Sequence, residues 1–426
     1  MPEPVYPSRP PATPGEPITD PTPARVVLHA TVTGPALASA LEGNVPISGE
    51  STVPVLGSDR KLIWRRNPMR LRFQQGRVGI DLHIDASLDM PVGSVDLPLD
   101  FRILAEPVVS SMYVAKLQSL DVQVSSDARL VRVADAAGDA LTKVKAAVES
   151  KLRDFSYDLS PTLGEAYARI ARPIELPLGD ASGCAQLAVL GVEAAPTVLA
   201  DGIEKDIAFV VAPSVTIPCA TQEAAPRLPP LANVSALPTG PFAVTVPIAA
   251  EYSELAKAMS LAFTDGKLFF SKEYPKLYLE KPEVYASKDR LAVKLHLRGP
   301  VSKYGIDTTL DGDLYLMGHP AVEDNELRIP DLEPTIETSS FLLKLKASLS
   351  ADEIRDEARA ALRLDIGERL KAVKRKLSTD LSFGNGQGCL RADTHKIEVS
   401  SIHVHGAYLR IYVTANASAS VYMPCP

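Results

Sequence analysis

Apolar and polar side chains alternate through residues 78–85, Val-Gly-Ile-Asp-Leu-His-Ile-Asp, and again 213 positions later through residues 291–298, Leu-Ala-Val-Lys-Leu-His-Leu-Arg. A period of two places Ile80, Leu82 and Ile84 on one face of a strand and Asp81, His83 and Asp85 on the other. The second copy sets Val293, Leu295 and Leu297 against Lys294, His296 and Arg298. The same offset lays Pro107 over Pro320. Earlier in each copy, alternating residues 28–33 lead into a helix-like run at 36–41, and residues 244–249 into one at 253–259. The chain reads as two repeats of one strand-rich plan.

Each repeat then predicts a long amphipathic helix. In the first, Leu141, Val144, Val148, Leu152 and Phe155 fall on one helical face; in the second, Leu362, Ile366, Leu370, Val373 and Leu377 do so. The second helix is expected to open at Ser350-Ala-Asp-Glu353, a capping-box pattern, and to end among Lys371, Lys374, Arg375 and Lys376, where cations suit the helix dipole. A further helix-like stretch at 162–170 has no counterpart in the second repeat.

After the helix each repeat carries a Val-, Ile-, Tyr- and Thr-rich segment bracketed by Gly-Cys and Pro-Cys: Cys184 with Cys219, and Cys389 with Cys425. Asp201-Gly202 and His405-Gly406 lie near the two midpoints, where a long hairpin would turn and bring its ends together. The matched brackets argue for one disulfide per repeat and for an oxidising compartment. Reduced thiols or a zinc site are the alternatives, although the spacing is not that of C-x2-C zinc ligands.

Length changes the picture first: 426 residues suit two domains of about 200 residues each. Residues 1–24, with nine prolines, read as a disordered tether, and residues 220–240 as a Pro- and Ala-rich linker. The domains are then 25–219 and 241–426. A net charge of −7 argues against nucleic acid as a partner. No apolar run approaches the ~18 residues of a membrane span. The first residues also lack an export signal, so the disulfides lead us to expect one removed ahead of Met1 and a periplasmic or outer-membrane-associated protein.

Candidate chemistry is sparse. Asp81, His83 and Asp85 form an Asp-x-His-x-Asp set, but the repeat sets Lys294, His296 and Arg298 there, which argues for a solvated face over a metal site. His403 and His405, with His395 nearby, lack an identifiable partner carboxylate. Gly384-Asn-Gly-Gln-Gly388 precedes a strand and lacks the Lys-Ser/Thr of a phosphate loop. Neither a Gly-x-Ser-x-Gly elbow nor His-Glu-x-x-His occurs, so no catalytic residue, metal or cofactor is proposed and the chain is read as a non-enzyme. Arg60, Lys61, Arg65, Arg66, Arg70, Arg72 and Arg77 surround Trp64, the only tryptophan. Trp64, Arg65, Arg66 and Arg70 are the candidates for docking on anionic headgroups; outward-facing strand residues balanced by acids are the competing reading.

The paired halves and the opening pattern of residues 26–46 resemble the tubular lipid-binding (TULIP, BPI-like) superfamily, and more closely a bacterial envelope family with two tandem domains of that kind. The resemblance spans about residues 25–426. Two disulfides depart from the best-known tandem members, which carry one, in the first domain. What it implies is an α+β fold of two tandem domains, each a long twisted antiparallel sheet rolled around a long amphipathic helix that leaves an apolar tunnel. The tunnel would be lined by Ile80, Leu82, Ile84, Leu141, Val144, Val148 and Leu152, and by Val293, Leu295, Leu297, Leu362, Ile366 and Leu370. The expected function is binding and transfer of acyl lipid (phospholipid, sphingolipid or a lipopolysaccharide-type lipid), with an anionic membrane surface and envelope proteins as further partners. An envelope scaffold with a filled core is the alternative, and a lipid-acting enzyme a third.

Overall fold

The computed structural model describes residues 9–425 apart from 16, 56–57, 75, 91–92, 127–134, 155, 179–180, 220–226, 262, 264, 270–274, 304–305, 337–354, 357–358, 360–363 and 384–387. The first half begins with β1 (Ala24–Thr33), which runs into α1 (Gly34–Asn44). Thr33 caps that helix by accepting from the Ala36 amide at 3.4 Å, and Pro35 fits its first turn. Strands β2 (Ser48–Val55), β3 (Ser58–Arg66), β4 (Arg70–Gln74), β5 (Arg77–Met90), β6 (Gly93–Val109), β7 (Val114–Ser125) and β8 (Ser156–Asp158) form one antiparallel sheet. Its order is β2-β3-β5-β6-β7-β8, with β4 also on β5. Between β7 and β8 comes α2 (Asp135–Arg153), the helix predicted from the Leu141 to Leu152 stripe, packed on β7 and β2. Then follow α3 (Ser160–Ile170), β9 (Ile174–Leu178), β10 (Ala181–Ala194), β11 (Val198–Leu199) and β12 (Gly202–Ile217).

The second half comprises β13 (Leu231–Asn233), β14 (Phe242–Glu251), α4 (Tyr252–Leu261), β15 (Leu268–Phe269), β16 (Tyr278–Ser287), β17 (Arg290–Lys303) and β18 (Ile306–Gly318). These lead to β19 (Ala321–Glu323), β20 (Glu326–Arg328), β21 (Glu333–Ile336), β22 (Leu364–Asp365), α5 (Gly367–Leu377), β23 (Thr379–Phe383), β24 (Gly388–Val404) and β25 (Tyr408–Met423). A five-stranded sheet runs β15-β16-β17-β18-β21, and β19-β20-β22 form a small one.

The second long helix differs from expectation. Leu362 and the Ser350–Glu353 box lie outside the described residues, and the helix that contains Leu370 starts only at Gly367. Upstream, Leu364 and Asp365 pair with β20, and the Ile366 amide donates to the Asn325 carbonyl at 2.9 Å. Sheet pairing takes these backbone groups, and Gly367, worth about 1 kcal/mol against a helix interior, marks the break. Val373 and Leu377, predicted for the buried stripe, are 46% and 48% exposed.

The halves, expected as tandem domains, share a ten-stranded sheet of order β13-β10-β12-β1-β25-β24-β23, with β9, β11 and β14 attached. Its register repeats. β1 pairs antiparallel with β12 from Ala24 opposite Val211 to Thr33 opposite Gly202; β14 pairs with β25 from Phe242 opposite Ala417 to Glu251 opposite Tyr408. The crossings are parallel and equivalent: Ala30 faces Val421, and Ile248 faces Val215. Both cysteine-bracketed hairpins form, β10 with β12 and β24 with β25, and both disulfides close, with Cα separations of 4.7 Å (Cys184–Cys219) and 5.2 Å (Cys389–Cys425). Gly202 is required at its turn, because a Cβ there would lie 2.3 Å from the Val32 carbonyl oxygen.

The leading segment of each half lies on the other. In the expected linker 220–240, β13 joins β10, Pro229 accepts from the Tyr113 hydroxyl at 2.6 Å, and the Leu231 amide donates to Ser111. Of the disordered tether predicted for residues 1–24, Arg9, Pro10, Thr13 and Asp20 are held against the second half. Thr13 adds to the end of β16, its amide donating to Ala286 (3.1 Å) and its carbonyl accepting from Lys288 (3.0 Å); Pro10 is buried, and Asp20 pairs with Arg410 at 2.7 Å. Edge bonding and ring packing hold a segment too poor in apolar residues for a core of its own.

Candidate functional site

The two faces of the seven-stranded sheet carry different chemistry. Alternation on β5 turns Ile80, Leu82 and Ile84 toward α2, where they pack with Trp64, Leu97, Leu120, Val124, Val144, Val148 and Leu152 around the buried Leu62, Leu99, Phe101, Ile103 and Val122. All the residues of that outer ring, from Ile80 to Leu152, keep part of their surface exposed. The side chain of Leu141 lies outside the described residues.

The equivalent positions of the second half are sealed. Val293, Leu295 and Leu297 are 1%, 1% and 0% exposed, enclosed by Leu277, Leu279, Leu310, Leu314, Leu316 and Leu332, with Leu255 and Met259 of α4 packed on the cluster. Ile366 and Leu370 are half-buried.

The cationic patch is not one surface. Arg66 shares the face of Leu62 and Trp64 and is 4% exposed, so it is removed from the headgroup-docking set. Its guanidinium donates to Glu42 Oε2 at 2.5 Å and to the carbonyls of Pro46 (2.9 Å) and Val45 (2.6 Å). Glu42 also accepts from the Met69 amide, and this bond together with Arg66 holds its carboxyl below the usual carboxylate range. Trp64, half-buried, lies across Gly49 of β2, where a Cβ would stand 2.6 Å from the indole. Lys61 pairs with Glu50 at 2.9 Å and Arg72 with Asp81 at 2.6 Å. Arg65, opposite Asp85 across the ladder, and Arg70 are exposed. Arg60 and Arg77 are half-buried. The signal that separates Arg66 from its neighbours is its place two residues after Trp64 on a strand.

The outer face of β4, β5, β6 and β7 forms a cavity of about 690 Å³ lined by Asn67, Arg70, Asp81, His83, Asp100, Arg102 and their neighbours Gln123 and Ser125. His83 Nδ1 lies 2.7 Å from Asp100 and Nε2 3.3 Å from Asp85; the Asp100 bond, and then Asp85, raise the imidazole above its ordinary value against the opposing effect of burial. Arg102 Nε stands 3.8 Å from Asp81. Asp100, Arg102, Gln123 and Ser125 carried no sequence signal, because they reach the site only through strand pairing. The three histidines of the second hairpin are engaged separately: His405 stacks on Tyr408 at 4.4 Å, His403 Nε2 meets Ser401 at 3.1 Å, and His395 stands 3.5 Å from Asp393. Among the described residues no group of three His, Cys, Asp or Glu side chains is arranged to hold a metal ion.

No curated protein matches the chain. Among solved structures it is similar to a lipopolysaccharide binding protein, with 11% identity and a TM-score of 0.30 over 95% of this chain and 100% of that one. It is also similar to P47 of Clostridium botulinum E1, with 10% identity and a TM-score of 0.23 over 92% and 99%. Residues 57–423 match a family described as a domain of unknown function, DUF4403. That match takes in the seven-stranded sheet from β3 onward, its partner in the second half and both disulfide-closed hairpins, and so the chain belongs to the DUF4403 family.

Proposed function

We propose that this chain is a lipid-binding protein that takes acyl chains in its first half, between α2 and the inner face of the seven-stranded sheet. The observation that carries the reading is the contrast between equivalent positions. Val293, Leu295 and Leu297 are closed in a filled core, whereas Ile80, Leu82 and Ile84, facing Val144, Val148 and Leu152, are only half-buried. Further burial of that ring by a hydrocarbon chain would return about 0.8 kcal/mol per methylene. The sealed second half fits the supporting, scaffold-like role. The disulfides fit an oxidising compartment, and no helix among the described residues is long and apolar enough to cross a membrane. We place the protein in the periplasm or on the outer membrane, moving or presenting lipid without covalent chemistry.

Trp64 supplies the test, as the only tryptophan and a member of the apolar ring. Vesicles of phospholipid brominated along the acyl chain should quench its fluorescence, unbrominated vesicles should not, and Val148→Phe should reduce the quenching by filling the space. Purified protein that carries no lipid in native mass spectrometry and shows no bromine quenching would remove the proposal.

A further inference from the structure

We propose that the outer face of the first half binds an extended acidic segment of a partner protein, in the way that the second half binds this chain's own leading segment. The two places are equivalent. β4 and β5 match β16 and β17 in sequence offset and in pairing, Arg70 opposite Asp81 in one and Glu283 opposite Lys294 in the other. In the second half, Thr13 forms a parallel bridge to Ser287 at the end of β16. The Tyr285 hydroxyl donates to the Pro10 carbonyl at 3.3 Å, and the Arg9 guanidinium lies 5.5 Å over the Tyr285 ring. The bond to Tyr285 foremost, then the nearby Tyr315 and Glu283, raise the Arg9 pKa above its ordinary value. A cationic, proline-spaced strand is thus held by a sheet edge and the Tyr285 ring, with Tyr315 and Glu283 nearby.

At the matching positions of the first half stand Arg72 for Tyr285, Arg102 for Tyr315 and Arg70 for Glu283. Arg70 and Arg102 line the 690 Å³ cavity, and β4 pairs with β5 alone among the described strands, so one edge remains for a further strand. Three arginines stand against Asp81, while Asp100 is matched by His83. The polarity is the reverse of the occupied site, and its complement is a segment with a carboxylate where Arg9 carries a guanidinium.

The probe is a fluorescently labelled peptide with the sequence of residues 6–15 bearing Arg9→Glu, added to the full chain and followed by anisotropy. Saturable binding that weakens at least tenfold in Arg70→Glu/Arg102→Glu supports the proposal, as does a smaller loss in Arg70→Gln, a milder change at an exposed position. Both variants are checked for an unchanged thermal midpoint; if the double variant is unfolded, Arg70→Gln decides. No saturable binding, equal binding of the unchanged Arg9 peptide, or binding indifferent to Arg70→Gln in folded protein would overturn it.

Discussion

His83 and His296 occupy the same position in the two halves: each turns Nδ1 to an aspartate on the next strand, Asp100 at 2.7 Å and Asp313 at 2.9 Å. Around this shared pair the charges are exchanged, Arg70 and Asp81 in one half against Glu283 and Lys294 in the other. The histidine–aspartate contact ties a hairpin on its solvent face, and the exchanged charges are where the halves have diverged. In the first half His83 also reaches Asp85, while Asp81 turns to Arg72.

Filled and half-open cores should respond differently to truncation. Leu295→Ala, in the sealed cluster, is expected to cost about 2–5 kcal/mol, and Leu82→Ala, at the equivalent half-exposed position, less than half as much. Denaturant titration measures both; equal losses would show that the first half is packed as tightly as the second.

Arg66 should behave as a structural residue. Arg66→Ala leaves the carbonyls of Val45 and Pro46 without their donor and Glu42 without its cation, a loss of roughly 2–3 kcal/mol. Arg66→Lys should recover little of it, because an ammonium cannot span the same fork of acceptors. Vesicle binding by the folded variants should not change, and a selective loss of binding without loss of stability would contradict this assignment.

His319 gives the fold a pH dependence. Its Nδ1 lies 2.6 Å from Asp331 and its Nε2 3.1 Å from Asp289, and these bonds, Asp331 first, raise its pKa. A raised folded value means the stabilisation is complete below the ordinary histidine value near 6.5 and is lost as pH rises through the folded value. Asp289, lowered by the bond to His319, is the acid-side counterpart: its share is present above the ordinary carboxylate range and is lost as pH falls. For Asp331, burial works upward, but the bonds to His319 prevail and the net direction is also down. The thermal midpoint of the native protein should therefore fall more steeply than that of His319→Asn from pH 6 to 8. Parallel curves would refute the linkage.

Removing residues 1–15 should free the end of β16. The Lys288 amide, which donates to Thr13, is expected to exchange with solvent at least tenfold faster, while amides inside the β17–β18 ladder keep their protection. Hydrogen exchange with mass spectrometry reads this directly, and unchanged protection at residue 288 would mean the segment is not seated there in solution.

Features written in nearby residues were legible. Alternation at 78–85 and 291–298 located β5 and β17, the Leu141 to Leu152 stripe located α2, and the cysteine brackets located two hairpins with their turns. What was not legible depends on distant partners. The break before Gly367 follows from the open edge of β20, and the seating of Arg9, Pro10 and Thr13 from the β16–β17 turn. The place of Arg66 on the Trp64 face is a local signal, but its partners are not: four of its five acceptors come from α1 and the loop to Pro46, and the fifth is the Asn67 carbonyl. The shared sheet leaves no local trace, because β1 pairs with β12 and β25 through backbone groups that every residue carries.

That sheet also governs how the molecule can be made. Leu28 settles beside Ala419, so β1 is made long before the strand that comes to lie beside it. Until β25 arrives, β1 presents a raw edge to whatever else is around it, the circumstance in which strands pair with the wrong chain. Synthesis of residues 25–219 alone would make that interval permanent, and the missing neighbour would be sought from another copy.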